Sequence, residues 1–83
     1  MKLGVYSLQK VLFQGDASSV NCNTQMGEIT VLDHHRPLIS ILAPGTMKIV
    51  DKNAKEYYIP VSSGFLEVNG DNTARLLVEE EIA

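Results

Sequence analysis

Glu56-Tyr57-Tyr58-Ile59-Pro60-Val61-Ser62-Ser63-Gly64-Phe65-Leu66-Glu67-Val68-Asn69-Gly70-Asp71-Asn72 is the most strongly patterned run in the chain. Tyr57, Ile59 and Val61 alternate with Glu56, Tyr58 and Pro60. Past residues 62–64, Leu66 and Val68 alternate with Phe65, Glu67 and Asn69. A period of two sends one set of side chains into a core and the other set outward. Ser62-Ser63-Gly64 interrupts the pairing between the two runs, and Gly64 suits a bulge or a close approach of another backbone. Asn69-Gly70-Asp71-Asn72 has hairpin chemistry and links residues 65–68 to residues 74–78.

The same period extends to both sides. Leu3, Val5 and Ser7 alternate with Gly4 and Tyr6, and Val20 and Cys22 alternate with Ser19, Asn21 and Asn23. Turn residues punctuate these runs at Gly15-Asp16, 24–27, 33–37, Pro44-Gly45, Lys52-Asn53, 62–64 and 70–72. Short strands with turns about every ten residues mark a sandwich or barrel. Pro44-Gly45 fits the centre of a type II turn, which predicts a chain reversal between residues 38–42 and 46–50. No window carries a 3.6-residue stripe, and residues 16–26 are rich in weak helix formers. The pattern predicts an all-β fold of about eight to ten short strands with no helix of consequence.

The chain of 83 residues is expected to form one domain spanning 1–83, since neither half could bury a usable core. Its net charge is −3, and no basic cluster is denser than Lys48, Lys52 and Lys55. That is a poor footprint for nucleic acid, which needs a basic face against its phosphates. The lone Cys22 excludes an internal disulfide and suits a reducing compartment. Residues 37–47 are too few to span a bilayer, which takes about 20 apolar residues. The start, Met1-Lys2-Leu3-Gly4, lacks the apolar core of a signal peptide. A soluble chain that reaches membranes only through partners is expected.

Catalytic chemistry finds little foothold. Asp33, His34 and His35 are the residues that could begin a metal site, but successive strand residues face opposite ways. A structural zinc site takes four ligands, and Cys22 is the one obvious thiolate. No Gly-x-Ser-x-Gly elbow or phosphate-binding glycine loop occurs. Glu79-Glu80-Glu81 reads as a solvated tail. No metal, cofactor or catalytic residue is expected. An interaction surface is better supported. Tyr58 and Phe65 fall on the outward register, where aromatic side chains either anchor interfaces or plug an open edge. The loop 33–37 offers hydrogen-bonding groups for a polar recognition edge.

An ordered set of short phrases narrows the choice. Gly27-Glu28, then His35-Arg36-Pro37-Leu38-Ile39, then Pro44-Gly45, then Ser62-Ser63-Gly64-Phe65-Leu66-Glu67-Val68 stand at spacings that resemble the epsilon subunit of the F-type ATP synthase. That family's amino-terminal β-sandwich reads Gly-Glu-Leu-Gly-Ile-Leu-Pro-Gly-His-Ala-Pro-Leu, Pro-Gly, and Ser-Gly-Gly-Phe-Leu-Glu-Val. This chain departs from it at Ile29-Thr30-Val31, at Asp33-His34 and Arg36, and at Ser63. The resemblance runs from about Leu3 to about Glu80.

It implies a flattened antiparallel β-sandwich and a non-catalytic rotor subunit in the central stalk of a proton-translocating bacterial ATP synthase. Such a subunit links γ to the c-ring on the cytoplasmic face of the inner membrane. By position, Gln25, Met26, Gly27 and Glu28 match the family's c-ring loop, and Ser7 and His35 match positions facing γ. No bound nucleotide is expected. The family's long form continues into a helical hairpin where this chain reaches residues 79–83, so a short form without that hairpin is expected. Fold class alone leaves one alternative, an unrelated small β-sandwich adaptor or binding module.

Overall fold

The computed structural model describes residues 1–80. Seven strands follow one another: β1 (Lys2–Tyr6), β2 (Val11–Thr24), β3 (Gly27–Leu32), β4 (Leu38–Leu42), β5 (Gly45–Asp51), β6 (Glu56–Asn69) and β7 (Thr73–Glu80). Among the described residues there is no helix. The count falls below the expected eight to ten because β2 and β6 each run unbroken for 14 residues. Each of these long strands serves both layers.

Pairing closes the layers on themselves. β1 pairs β2, β2 pairs β5, β5 pairs β6, β6 pairs β7, and β7 returns to β1. β3 adds to β2, and β4 adds to β6. All pairs are antiparallel except β1–β7, which is parallel. The circuit wraps a core in which Met47, Ile49, Leu66, Leu76, Val5, Val20 and Val31 are almost wholly buried. Of the inward sets read from the alternation, Ile59, Val61, Leu66 and Val68 lie in this core, and Tyr57 is only partly buried against it. Val20 and Cys22 lie there too.

Pro44-Gly45 does not reverse the chain. Leu38 to Leu42 lie opposite Val68 to Gly64, and Gly45 to Val50 lie opposite Val61 to Glu56, in one continuous antiparallel register. β4 and β5 are therefore one strand bent at Ala43-Pro44. Proline has no N–H for a ladder, so it sits where the strand changes layer. The reversal comes later, at residues 51–55, where the Ala54 N–H donates to the Asp51 carbonyl (3.1 Å) and the Asp51 N–H to that of Lys55 (2.9 Å).

β6 bends at the same level. Its pairing with β7 shifts between Val61 and Ser63, the bulge expected of residues 62–64. The shift moves the buried set from odd to even numbers, Val61 to Leu66, while β4–β5 changes phase between Leu42 and Met47. Both strands keep their apolar side chains inside as they cross from one layer to the other. Gly64 makes the crossing possible: a Cβ there would lie 2.1 Å from the Leu77 carbonyl oxygen, and its φ is 144°.

The hairpin at 69–72 forms as expected, with Asn69 opposite Thr73. Of the acidic run at 79–81, Glu79 belongs to β7, where its carbonyl accepts from the Ser62 hydroxyl (3.0 Å) and its carboxylate from Ser63 (3.0 Å). Glu81 lies outside the described residues.

Candidate functional site

The turn at 25–28 is a two-residue loop, Gln25-Met26, closing β2 onto β3 with Thr24 opposite Gly27. Thr24 is buried, and its hydroxyl accepts from the Met26 N–H (3.1 Å) and donates to the Gly27 carbonyl (2.7 Å). The Gln25 N–H donates to the Ile41 carbonyl of β4 (3.0 Å). The backbone is thus held from beneath while Gln25, Met26, Gly27 and Glu28 are all exposed, Met26 at 94%. Gly27 has φ 118° and no atom near the place a Cβ would take, so conformation rather than space demands glycine.

Ser7 and His35 are not brought together. Ser7 follows Tyr6, which lies opposite Leu77, whereas the His34 N–H donates to Asn72 Oδ1 (2.7 Å), next to Thr73 and Lys2. They mark opposite ends of the β1–β7–β6–β4 sheet. Ser7 staples its own turn, its hydroxyl accepting from the N–H groups of Gln9 (3.3 Å) and Lys10 (3.2 Å). His35 Nδ1 lies 2.8 Å from the Arg36 carbonyl.

Asp33 has an ion-pairing role. It bonds Lys52 Nζ (2.8 Å) and the amino group of Met1, which also donates to the Ala17 carbonyl (3.0 Å). The Lys52 ammonium and then the Met1 ammonium hold its carboxyl well below the usual carboxylate range. Among the described residues no group of three or more His, Cys, Asp or Glu side chains could hold a metal. Cys22 sits in the core, where burial pushes its thiol up to about 11.

The outer face of the β4–β6–β7–β1–β2 sheet carries an unexpected apolar row. Ile41 lies opposite Phe65, Phe65 opposite Leu77, Leu77 opposite Tyr6, and Tyr6 opposite Val11. Residues directly opposite one another share a face, so the five form one line across five strands. Ile41, Phe65, Leu77 and Val11 are each about half exposed, and Ile39, one row away, is 75% exposed. In that next row Glu67 and Arg75 pair with each other (2.7 Å). The Tyr6 ring folds over Gly4, where a Cβ would lie 2.3 Å from the tyrosine hydroxyl. Beside it lies a depression of about 480 Å³ bordered by Lys2, Gln14, Asp16 and Arg75.

Alternation makes the outward register of Phe65 and Tyr58 legible, but Ile39, Ile41 and Leu77 escape it. Arg75-Leu76-Leu77-Val78 holds the signal: three apolar residues in a row on a strand leave one facing out.

Known proteins share both the sequence and the fold. The ATP synthase epsilon chain of Bordetella petrii is 40% identical over 68 residues, covering 82% of this chain and 48% of that one. That of Brevibacillus brevis is 32% identical over 82 residues, covering 99% and 62%. The chain spans about half the length of the curated relatives it matches. A chain in the Euglena gracilis mitochondrial ATP synthase (OSCP/F1/c-ring) superposes with a TM-score of 0.90 at 23% identity, covering 99% of this chain and 52% of that one. One in the Tetrahymena thermophila mitochondrial ATP synthase (central stalk/c-ring) gives 0.82 at 21%, covering 96% and 63%. At such identities the superpositions speak for the fold. Residues 1–82 match the β-sandwich domain of the ATP synthase delta/epsilon chain, and the chain belongs to that family.

Proposed function

We propose that this chain is a non-catalytic rotor element in the central stalk of an F-type ATP synthase. In that role it acts as a single domain that ties γ to the c-ring, so that ion-driven rotation reaches the subunits that make ATP. It works as a peripheral protein on the cytoplasmic face of a bacterial inner membrane. The family match along residues 1–82 carries this reading, because it takes in both layers and every turn of the sandwich.

The turn at 25–28 suits the c-ring contact. It is held rigidly by Thr24 and presents Gln25, Met26 and the Glu28 carboxylate to an approaching loop. A carboxylate on an exposed turn can accept charge-assisted hydrogen bonds from basic or amide groups. Ser7 and His35, at the two ends of one sheet, mark the span of the γ contact.

Affinity capture of the full-length protein, co-expressed with the γ subunit and c-ring of its own source, tests the reading. Both partners should be recovered. Cysteines placed at Met26 or Glu28 should crosslink to the ring loops, and Glu28→Arg should weaken coupling without lowering the melting temperature. Failure to recover either γ or the ring would overturn the proposal.

A further inference from the structure

We propose that the Asn69–Gly70 bond of the β6–β7 hairpin is a site of spontaneous covalent modification, and that deamidation and isomerisation there loosen the loop at 33–37 from the end of the sheet. The chemistry depends on this hairpin alone and not on the rotor reading.

Asn69 is the one asparagine of the sequence followed by glycine; Asn21, Asn23, Asn53 and Asn72 precede Cys22, Thr24, Ala54 and Thr73. Glycine has no Cβ, so its nitrogen can approach the preceding carboxamide closely. The fold does not require glycine at this place. Gly70 lacks the positive φ of Gly27 and Gly64, and a Cβ on it would meet only Pro37, at an ordinary 3.6 Å. Gly70 is exposed and Asn69 half-buried. The Asn69 carboxamide donates to the Thr73 hydroxyl at 3.4 Å, which is long for an N–H···O bond. Asn69 opposite Thr73 is also the last rung of the β6–β7 ladder, where local opening costs least.

Once that rung opens, the Gly70 nitrogen gives up its proton to solvent and attacks Asn69 Cγ. A C–N bond forms, the Cγ–Nδ2 bond breaks, and ammonia leaves a cyclic succinimide. Water then opens the ring. Addition at Cγ yields aspartate, and addition at the backbone carbonyl yields isoaspartate, whose chain runs on through Cγ. Water is consumed, ammonia is released, and nothing is oxidised or reduced.

The neighbours give this step a consequence. Asn72 holds two segments at once: its Oδ1 accepts from the His34 N–H (2.7 Å) and its carbonyl from the Lys2 N–H (3.1 Å). Isoaspartate adds a methylene to the backbone just before this clamp, so Asn72 can no longer hold both. The charge acts in the same direction. The Thr73 hydroxyl already donates to Asp71 Oδ1 (2.6 Å), so it cannot serve a new carboxylate at 69, which then repels Asp71.

The test incubates the full-length protein in mildly alkaline buffer beside a synthetic peptide of residues 66–75, and follows both by peptide mass mapping. Within about ten half-lives of the peptide, Asn69 of the folded protein should turn into isoaspartate and aspartate while the other asparagines stay amides. An Asn69 that remains wholly amide over that time overturns the site. Gly70→Ala, which fits the hairpin, should slow the conversion about tenfold with circular dichroism unchanged. An equal rate in that variant would rule out attack by the Gly70 nitrogen. In the purified isoaspartate form the His34 amide should exchange hydrogen about tenfold faster than in the unaltered protein. Asn69→Asp, which adds the charge but keeps the backbone length, should show a smaller rise. Unchanged His34 exchange in the isoaspartate form would overturn the loosening of the loop and leave the modification site standing.

Discussion

The bent hairpin made by β4–β5 and β6 holds two halves that share one register and differ in their outer faces. Inside they are alike: Leu42, Leu66 and Val68 fill one half, Met47, Ile49, Ile59 and Val61 the other. Outside they are opposites. The half formed by residues 38–42 and 64–68 shows Ile39, Ile41 and Phe65. The half formed by residues 45–50 and 56–61 shows Lys48, Glu56 and Tyr58, with Lys48 and Glu56 paired at 3.5 Å and the Tyr58 hydroxyl donating to Glu56 at 2.6 Å. One strand pair therefore carries an apolar outer face at one end and a charged, hydrogen-bonded one at the other. Core demand is the same in both halves, so the interior does not set the outer difference.

That comparison can be broken most forcefully at the bend. Gly64→Ala sets a methyl group against the Leu77 and Val78 backbone, so it should destabilise by about 4 kcal/mol or more. Wild-type stability in urea unfolding of this variant would mean the two halves are not locked together there. Next come the shared interiors. Leu66→Ala and Ile49→Ala, one in each half, should each cost about 2–5 kcal/mol. Values differing by more than that range would show that the halves do not share one core.

Outer-face changes should do less to stability. Tyr58→Thr, which removes the hydrogen bond to Glu56, and Phe65→Thr should each cost far less in urea unfolding than the core changes, and a loss as large as that of Leu66→Ala would erase the distinction between the faces.

The smallest effect is in pH dependence. The Tyr58 hydrogen bond and then the Lys48 charge depress the Glu56 carboxyl, so its contribution is present above the ordinary value of 4.5 and fades as pH falls through the lowered one. Glu56 in turn raises the Tyr58 phenol, whose contribution holds below 10.0 and is lost as pH rises through the raised value. Tyr58→Phe should lower the centre of the melting-temperature profile slightly and leave its acid and alkaline extremes nearly unchanged, so that both flanks flatten.

Much of the interior is legible in the sequence because alternation is local. Ile59, Val61, Leu66 and Val68 announce their side, and Ser62-Ser63-Gly64 announces the change of phase between them. The matching bend in the partner strand is not legible. Pro44-Gly45 has the same local chemistry in a reversal as in a layer crossing, and only the distant register with β6 decides between them. The parallel β1–β7 pair joins the two ends of the sequence, and no local pattern encodes it. The turn at 25–28 can be placed by its phrase, but the buried Thr24 hydroxyl that holds it is visible only in three dimensions. Apolar residues in unbroken runs, such as Leu76-Leu77-Val78, hide which of them faces outward.

The parallel β1–β7 pair has a mechanical consequence. Force entering near Ser7 and leaving near His35 runs lengthwise along β1, β7, β6 and β4, because those residues sit at opposite ends of that sheet. Lengthwise load strains every hydrogen bond of a ladder at once, whereas a load across the strands would open them one after another. A domain loaded this way gives little before it fails.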